Sequence, residues 1–228
     1  PYRHKKQSGG AGQFADISID ALPGVSRSYS FATPAQPDGQ GSFFVRKVPG
    51  GVFSTAVNEQ DFVGQPMQVD GPSGNFWLRS SDAPMLLLAG GSGLAPVLAL
   101  LQDALAKGVT RSATLLFGAR TEADLYALEE IESIARRWQG DFRFIPILSE
   151  SCIGDGWTGR RGLVGELIPE IIVPGAHAYL CGPPAMIDGA VNSLTRQGIY
   201  SQHIHADRFS TRQDMAKAAV EPGPATVQ

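Results

Sequence analysis

The chain has 228 residues, 43% hydrophobic and 18% charged, a balance that suits a folded protein of one large domain or two small ones. Its 22 acidic and 19 basic residues leave a formal net charge of −3, which provides no basic field to hold DNA or RNA. Cys152 and Cys181 are too few for a disulfide framework or a four-cysteine iron–sulfur cluster within the chain, and they point to a reducing compartment, the cytoplasm.

Residues 1–12 are polar, glycine-rich and basic at Arg3, His4, Lys5 and Lys6, as expected of a solvated arm. Strands are predicted at 14–19, 26–32 and 42–48, separated by turn signals at Leu22-Pro23-Gly24, 34–41 and Pro49-Gly50-Gly51. A helical turn is predicted within 52–59, and two more strands at 66–70 and 75–79 flank Gly71-Pro72-Ser73-Gly74. Short strands with loop punctuation imply a small antiparallel β-barrel over residues 1–82.

From residue 83 the pattern changes. Strands predicted at 84–89, 113–118, 142–148, 177–181 and 203–206 alternate with helices at 95–107, 122–138, 163–171 and 184–197, the signature of a doubly wound parallel sheet over 83–209. Thr121 is placed to cap the second helix, and Gly108 and Gly198 to terminate the first and last. Residues 210–228 read as a polar tail. The apolar run 85–101 is interrupted by Gly90, Gly91, Ser92 and Gly93 and contains Pro96, so it falls short of the roughly 20 apolar residues a membrane span needs, and no membrane partner is expected.

Four places could carry chemistry besides the strand-to-helix turn Gly91-Ser92-Gly93-Leu94-Ala95-Pro96. That turn lets backbone N–H groups and a helix dipole approach a pyrophosphate, although such turns also occur where nothing binds. It lacks the Gly-Lys-Ser/Thr ending of a nucleotide-triphosphate loop. Arg27-Ser28-Tyr29-Ser30 offers a guanidinium, an aromatic face and a hydroxyl, or is a mixed surface strand. Gly51-Val52-Phe53-Ser54 opens a short helix where a second pyrophosphate could sit, or is an ordinary hairpin turn. Cys181-Gly182-Pro183-Pro184 sets a thiol at the carboxyl edge of the sheet, where ligands bind in open α/β folds, or the thiol fills the core. Asp207 and Phe209 end the last strand two residues apart, on one face.

Taken in order, Arg-x-Tyr-Ser, Gly-x-x-Ser, Gly-x-Gly-x-x-Pro, Cys-Gly-Pro-Pro and the terminal acidic residue with its aromatic resemble the ferredoxin–NADP reductase superfamily over roughly 12–209. The pattern is most similar to the reductase components of bacterial ring-hydroxylating dioxygenases and of diiron methane, phenol and toluene monooxygenases. The resemblance implies a flavoprotein that moves hydride from NADH to FAD and passes single electrons onward. The acceptor would be a [2Fe–2S] centre on a ferredoxin-like domain upstream of residue 1 or on a separate ferredoxin, serving an oxygenase component.

By the same resemblance Arg27 contacts a flavin phosphate, Tyr29 stacks on the isoalloxazine and Ser30 hydrogen-bonds near the flavin N5, while Gly51, Val52, Phe53 and Ser54 receive the flavin pyrophosphate. Gly91, Ser92, Gly93, Leu94, Ala95 and Pro96 receive that of the nicotinamide nucleotide. Cys181, Gly182 and Pro183 lie beside the nicotinamide, Asp207 shapes the transfer site, and Phe209 covers the other flavin face. Ser30, Cys181 and Asp207 are the catalytic candidates, and no resident metal is implied. Ser149-Glu150 stands where NADPH-using relatives carry Ser-Arg, which implies a preference for NADH. Two family strands expected before residue 12 are not supplied by the short polar arm. The alternatives are a flavin reductase that releases reduced flavin, or a non-catalytic electron-transfer subunit of the same fold, a class that carries extra cysteines not found here.

Overall fold

The computed structural model describes residues 10–152 and 154–209; the arm over 1–9 and the tail over 210–228 lie outside the described residues. The first part is an antiparallel sheet of β1 (Phe14–Ile19), β2 (Ser26–Ser30) and β3 (Met67–Ser73), in the order β2-β1-β3. Alternation along β1 turns Ala15, Ile17 and Ile19 inward. Helix α1 (Val52–Glu59) closes that face, with Phe53 against Ile17 and Ile19. It is a full two-turn helix rather than a single turn.

Two predicted strands do not form, because their side chains are used elsewhere. Segment 42–48 makes one bridge, Phe31 to Phe43, and then carries Phe44 away to meet Tyr126 edge-on at 5.1 Å. Segment 75–79 buries Phe76 edge-on against Tyr179 at 6.4 Å, and the Arg79 N–H donates to the Tyr179 hydroxyl at 3.0 Å. Both are seams between the two halves of the molecule. Ala11, at the end of the expected arm, is buried, and a Cβ on Gly12 would stand 2.2 Å from the Phe76 carbonyl oxygen, so the chain is already packed there.

The second part is a parallel sheet of β4 (Met85–Gly90), β5 (Ala113–Ala119), β6 (Phe142–Leu148), β7 (Arg160–Arg161), β8 (His177–Gly182) and β9 (Ile204–Arg208). Its strand order is β7-β6-β5-β4-β8-β9. The short edge strand β7 was not legible in sequence. Strand β4 is buried on both faces: Met85, Leu87 and Ala89 join one core, Leu86 and Leu88 the other. The first core is covered by α2 (Leu94–Ala106) and α3 (Leu128–Arg137), the second by α4 (Val164–Ile171) and α5 (Pro184–Arg196). Strand order reverses between β4 and β8, which opens a crevice at their carboxyl ends.

The helix predicted at 122–138 is broken. Thr121 and Asp124 form a reciprocal cap around a 3-10 turn, Glu122–Asp124, and Ala127 then adopts a left-handed φ of 55° before α3 begins. The break frees Tyr126 to pack edge-on against Phe117 and Phe44. A buried Arg111 fastens the linker between the halves, donating to the carbonyls of Ala83 and Arg79, while the Trp138 indole donates to Arg111's own carbonyl at 2.9 Å. Among the described residues no helix is long and apolar enough to cross a membrane.

Candidate active site

The crevice at the reversal collects three of the predicted groups. Strand β4 ends at Gly90, the chain turns through the 3-10 segment Gly91–Gly93, and α2 starts with Pro96 in its first turn, where a missing N–H costs nothing. No side chain caps this start; the Leu94 N–H donates back to the Gly91 and Ser92 carbonyls and Pro96 has none to give. Gly91 has a φ of 52°, a conformation that favours glycine. Gly93 is required for a different reason: a Cβ there would lie 2.2 Å from the Cys181 carbonyl oxygen, so backbone meets backbone between the turn and the end of β8.

Cys181 is fully buried at that strand end and registers with Asp207 on β9. Burial pushes its thiol well above the ordinary range, and the neighbouring Asp207 carboxylate pushes the same way, so it is held as a neutral thiol. Burial likewise raises the Asp207 carboxyl. Phe209 packs against the first core, and its N–H donates to the Gly182 carbonyl at 2.9 Å. The thiol, the acid and the aromatic therefore stand beside the glycine turn.

The other predicted groups sit on the antiparallel half. Arg27 and Tyr29 share the inner face of β2, opposite Ile17 and Ala15. Tyr29 leans on Phe53 with ring centroids 5.6 Å apart, and burial raises its phenol against the opposing pull of Arg27. Ser30, at the strand end, turns to the opposite face and is buried with its Oγ unpartnered, an orphan that calls for a donor or acceptor from outside the described residues. Helix α1 starts at Gly51 with no side-chain cap, leaving the N–H groups of Val52, Phe53 and Ser54 as its free donors. The Ser54 hydroxyl is already engaged: it accepts from the Val48 N–H at 3.1 Å and donates to the Gly51 carbonyl at 3.2 Å. It shapes the turn rather than reaching outward. A Cβ on Gly51 would lie 2.5 Å from that hydroxyl, which makes the cradle glycine-specific.

Four residues that sequence reasoning missed join the halves at the mouth of the glycine turn. The Tyr126 hydroxyl donates to the Gly91 carbonyl at 2.9 Å, and Tyr126 is itself held by Phe44. Arg46 pairs with Asp124 at 3.1 Å, and its Nη1 is 3.9 Å from where a Cβ on Gly91 would stand. The available signal was the repeat of spacing: Phe44 and Arg46 are two apart, as are Asp124 and Tyr126. The predicted helix over 122–138 concealed it.

Models of known families match both halves, an oxidoreductase FAD-binding domain over residues 5–77 and an oxidoreductase NAD-binding domain over 87–192. The chain belongs to the ferredoxin reductase family. Among proteins similar to this reductase-family chain is the xylene/toluene monooxygenase electron transfer component XylA of Pseudomonas putida, 44% identical over 88% of this chain and 57% of that protein. Another is the reductase component of propane 2-monooxygenase from Mycolicibacterium smegmatis, 35% identical over 88% of this chain and 59% of its own length. This ferredoxin reductase chain thus spans less than two thirds of either relative. A solved ferredoxin reductase of carbazole 1,9a-dioxygenase superposes with a TM-score of 0.79 at 28% identity, covering 88% of this chain and 60% of that one. The chain is an FAD- and NAD-binding oxidoreductase unit, and its relatives are electron-transfer components of oxygenase systems.

Proposed function

We propose that this chain accepts hydride from NADH onto bound FAD and feeds electrons singly to an iron–sulfur centre that serves an oxygenase. That centre belongs to a partner ferredoxin or to protein outside these residues, in the cytoplasm, where Cys152 and Cys181 would stay reduced. The observation that carries the reading is the meeting of the uncapped glycine turn, the buried neutral Cys181 thiol and Asp207 at the carboxyl ends of β4, β8 and β9. FAD, when bound, supplies the conversion of a two-electron donor into a one-electron source.

The residues present fit that group. In this reading Arg27 neutralises a flavin phosphate, Tyr29 offers a ring face, and the orphaned Ser30 hydroxyl hydrogen-bonds the flavin ring near N5. The free N–H groups of Val52, Phe53 and Ser54 hold the flavin pyrophosphate. The first turn from Gly91 through Ser92, Gly93, Leu94 and Ala95 to Pro96 takes the nucleotide's diphosphate. Cys181, Gly182 and Pro183 line the nicotinamide position, with Asp207 beside the reacting atoms. A neutral thiol packs against a planar ring without a desolvated charge. Phe209 shields the opposite flavin face. We also place the division between the two units at residue 82, inside the linker that Arg111 fastens.

The test is reconstitution with FAD, mass analysis of the released flavin and anaerobic mixing with NADH. Retained FAD, rapid flavin bleaching, brisk ferricyanide reduction, and cytochrome c reduction that depends on an added ferredoxin support the reading. Finding FMN overturns the FAD assignment, and release of free reduced flavin with no ferredoxin effect overturns the reading in favour of a flavin reductase.

A further inference from the structure

The mouth of the glycine turn carries a charge arrangement that binding alone does not require. Asp124 Oδ1 accepts from Arg46 at 3.1 Å and from Arg120 at 3.3 Å. Its Oδ2 is anchored by the Thr121 hydroxyl at 3.2 Å and the Thr121 N–H at 3.3 Å. The carboxylate is thus fixed in orientation and loaded with two guanidiniums. One of these, Arg46, comes from the flavin half and overhangs Gly91. Two guanidiniums, each donating through one nitrogen, converge on one carboxylate oxygen, and phosphate takes such donors with more oxygens and more charge.

We propose that Asp124 is a built-in competitor of the nucleotide's diphosphate, holding Arg46 and Arg120 at the Gly91 turn until that diphosphate takes them over. The inference rests on the reading of this turn as the dinucleotide site. A diphosphate seated on the turn would compete with Asp124 for Arg46, which reaches both, and would be repelled by that carboxylate while Arg46 is still paired. Binding therefore exchanges one partner of Arg46 for another, and the net gain is smaller than Arg46 alone would give. Asp124 is held in its ionised form: burial opposes this, but the hydrogen bonds from Arg120 and Thr121 outweigh it. Because Arg46 and Phe44 reach across together while Tyr126 grips the Gly91 carbonyl, the exchange takes place at the contact between the halves.

The experiment is calorimetric titration of the FAD-loaded protein with ADP-ribose, which carries the diphosphate without nicotinamide, and with adenosine, which carries no phosphate. Asp124→Asn and Asp124→Ser both keep an acceptor for the Thr121 N–H and remove the charge. Both variants should bind ADP-ribose about threefold to fivefold more tightly, the scale of exposed ion pairs, with adenosine unchanged. Arg46→Gln should weaken ADP-ribose about tenfold, as expected for loss of a charged donor to phosphate. In the Arg46→Gln background, Asp124→Asn should lose most of its effect. If wild type binds ADP-ribose and neither Asp124 variant binds it more tightly, this inference is wrong and the dinucleotide reading stands. If wild type does not bind ADP-ribose, both fall.

Discussion

At the scale of single residues, the proposed reading gives the thiol of Cys181 and the hydroxyl of Ser30 roles in aligning the reacting groups rather than in holding the nucleotide. Cys181 is buried and neutral, and the Ser30 oxygen has no partner among the described residues. Removing either should disturb alignment at the reacting atoms. For Ser30→Ala and Cys181→Ala we expect a limiting rate of flavin reduction lower by about tenfold to a hundredfold, with the dissociation constant for NADH nearly unchanged. Stopped-flow measurement separates the two; a weakened constant at an intact rate would show that these residues only hold the substrate. Ser149 and Glu150 run alongside Ala119 and Arg120, at 3.0 and 2.9 Å between backbone groups. Of the neighbouring arginines, Arg160 pairs with Glu170 and Arg161 with Asp155, while Arg120 shares Asp124 with Arg46 at the Gly91 turn. NADH should therefore be preferred, and Glu150→Ser should raise kcat/KM for NADPH by about tenfold, the scale of one unfavourable charge contact; equal efficiency with both nucleotides in the unaltered protein would contradict this.

At the scale of elements, the glycine turn is tightly constrained by backbone on its far side. Gly93→Ala sets a methyl group against the Cys181 backbone, where no side chain can yield, and should cost about 1–3 kcal/mol along with nucleotide binding. Gly91→Ala meets nothing closer than 3.9 Å, yet its φ of 52° makes it costly by about 1–2 kcal/mol. Chemical denaturation checks both. The glycine spacing and the apolar run before it were legible because strand, turn and helix start are local and their signals adjoin. Segments 42–48 and 122–138 were misread for the converse reason. Phe43 and Phe44 have strand character and Leu125 and Leu128 helical spacing, but Phe44 is drawn to Tyr126 and Arg46 to Asp124, partners about 80 residues away. What long-range contact decides, local pattern does not announce. The same holds for the candidate site: its glycines, thiol and terminal acid are written in short motifs, whereas the Arg46–Asp124–Tyr126 contact exists only once both halves are folded.

At the scale of the whole molecule, a histidine cluster at the amino edge of the sheet governs how the fold answers to pH. The His177 ring stacks on His203 at 4.3 Å, and His177 Nδ1 and His205 Nε2 are buried without partners among the described residues. Burial lowers both His177 and His205 below the ordinary value of 6.5; among nearby charges, Arg111 and His203 act on His177 in the same sense, and Arg79, His177 and His203 on His205. The unfolded chain therefore binds more protons than the folded one just below pH 6.5. The contribution of these two histidines is fully present above that value and is lost as pH falls below it. The urea midpoint should decline between pH 7.5 and about 5.5, and His177→Gln with His205→Gln should flatten the profile; an unchanged slope would show that other groups set it. The strap of Arg111 across the linker has a further consequence. Its guanidinium ties down the Ala83 and Arg79 carbonyls, and the Tyr179 hydroxyl takes the Arg79 N–H, so the segment joining the halves is fastened at both ends to the second one. A protease added to the native protein should fail to nick residues 79–83, and Arg111→Leu should open that stretch to cleavage while leaving both fragments intact. The hinge on which the two halves would turn is thus guarded from cutting by its own bonds.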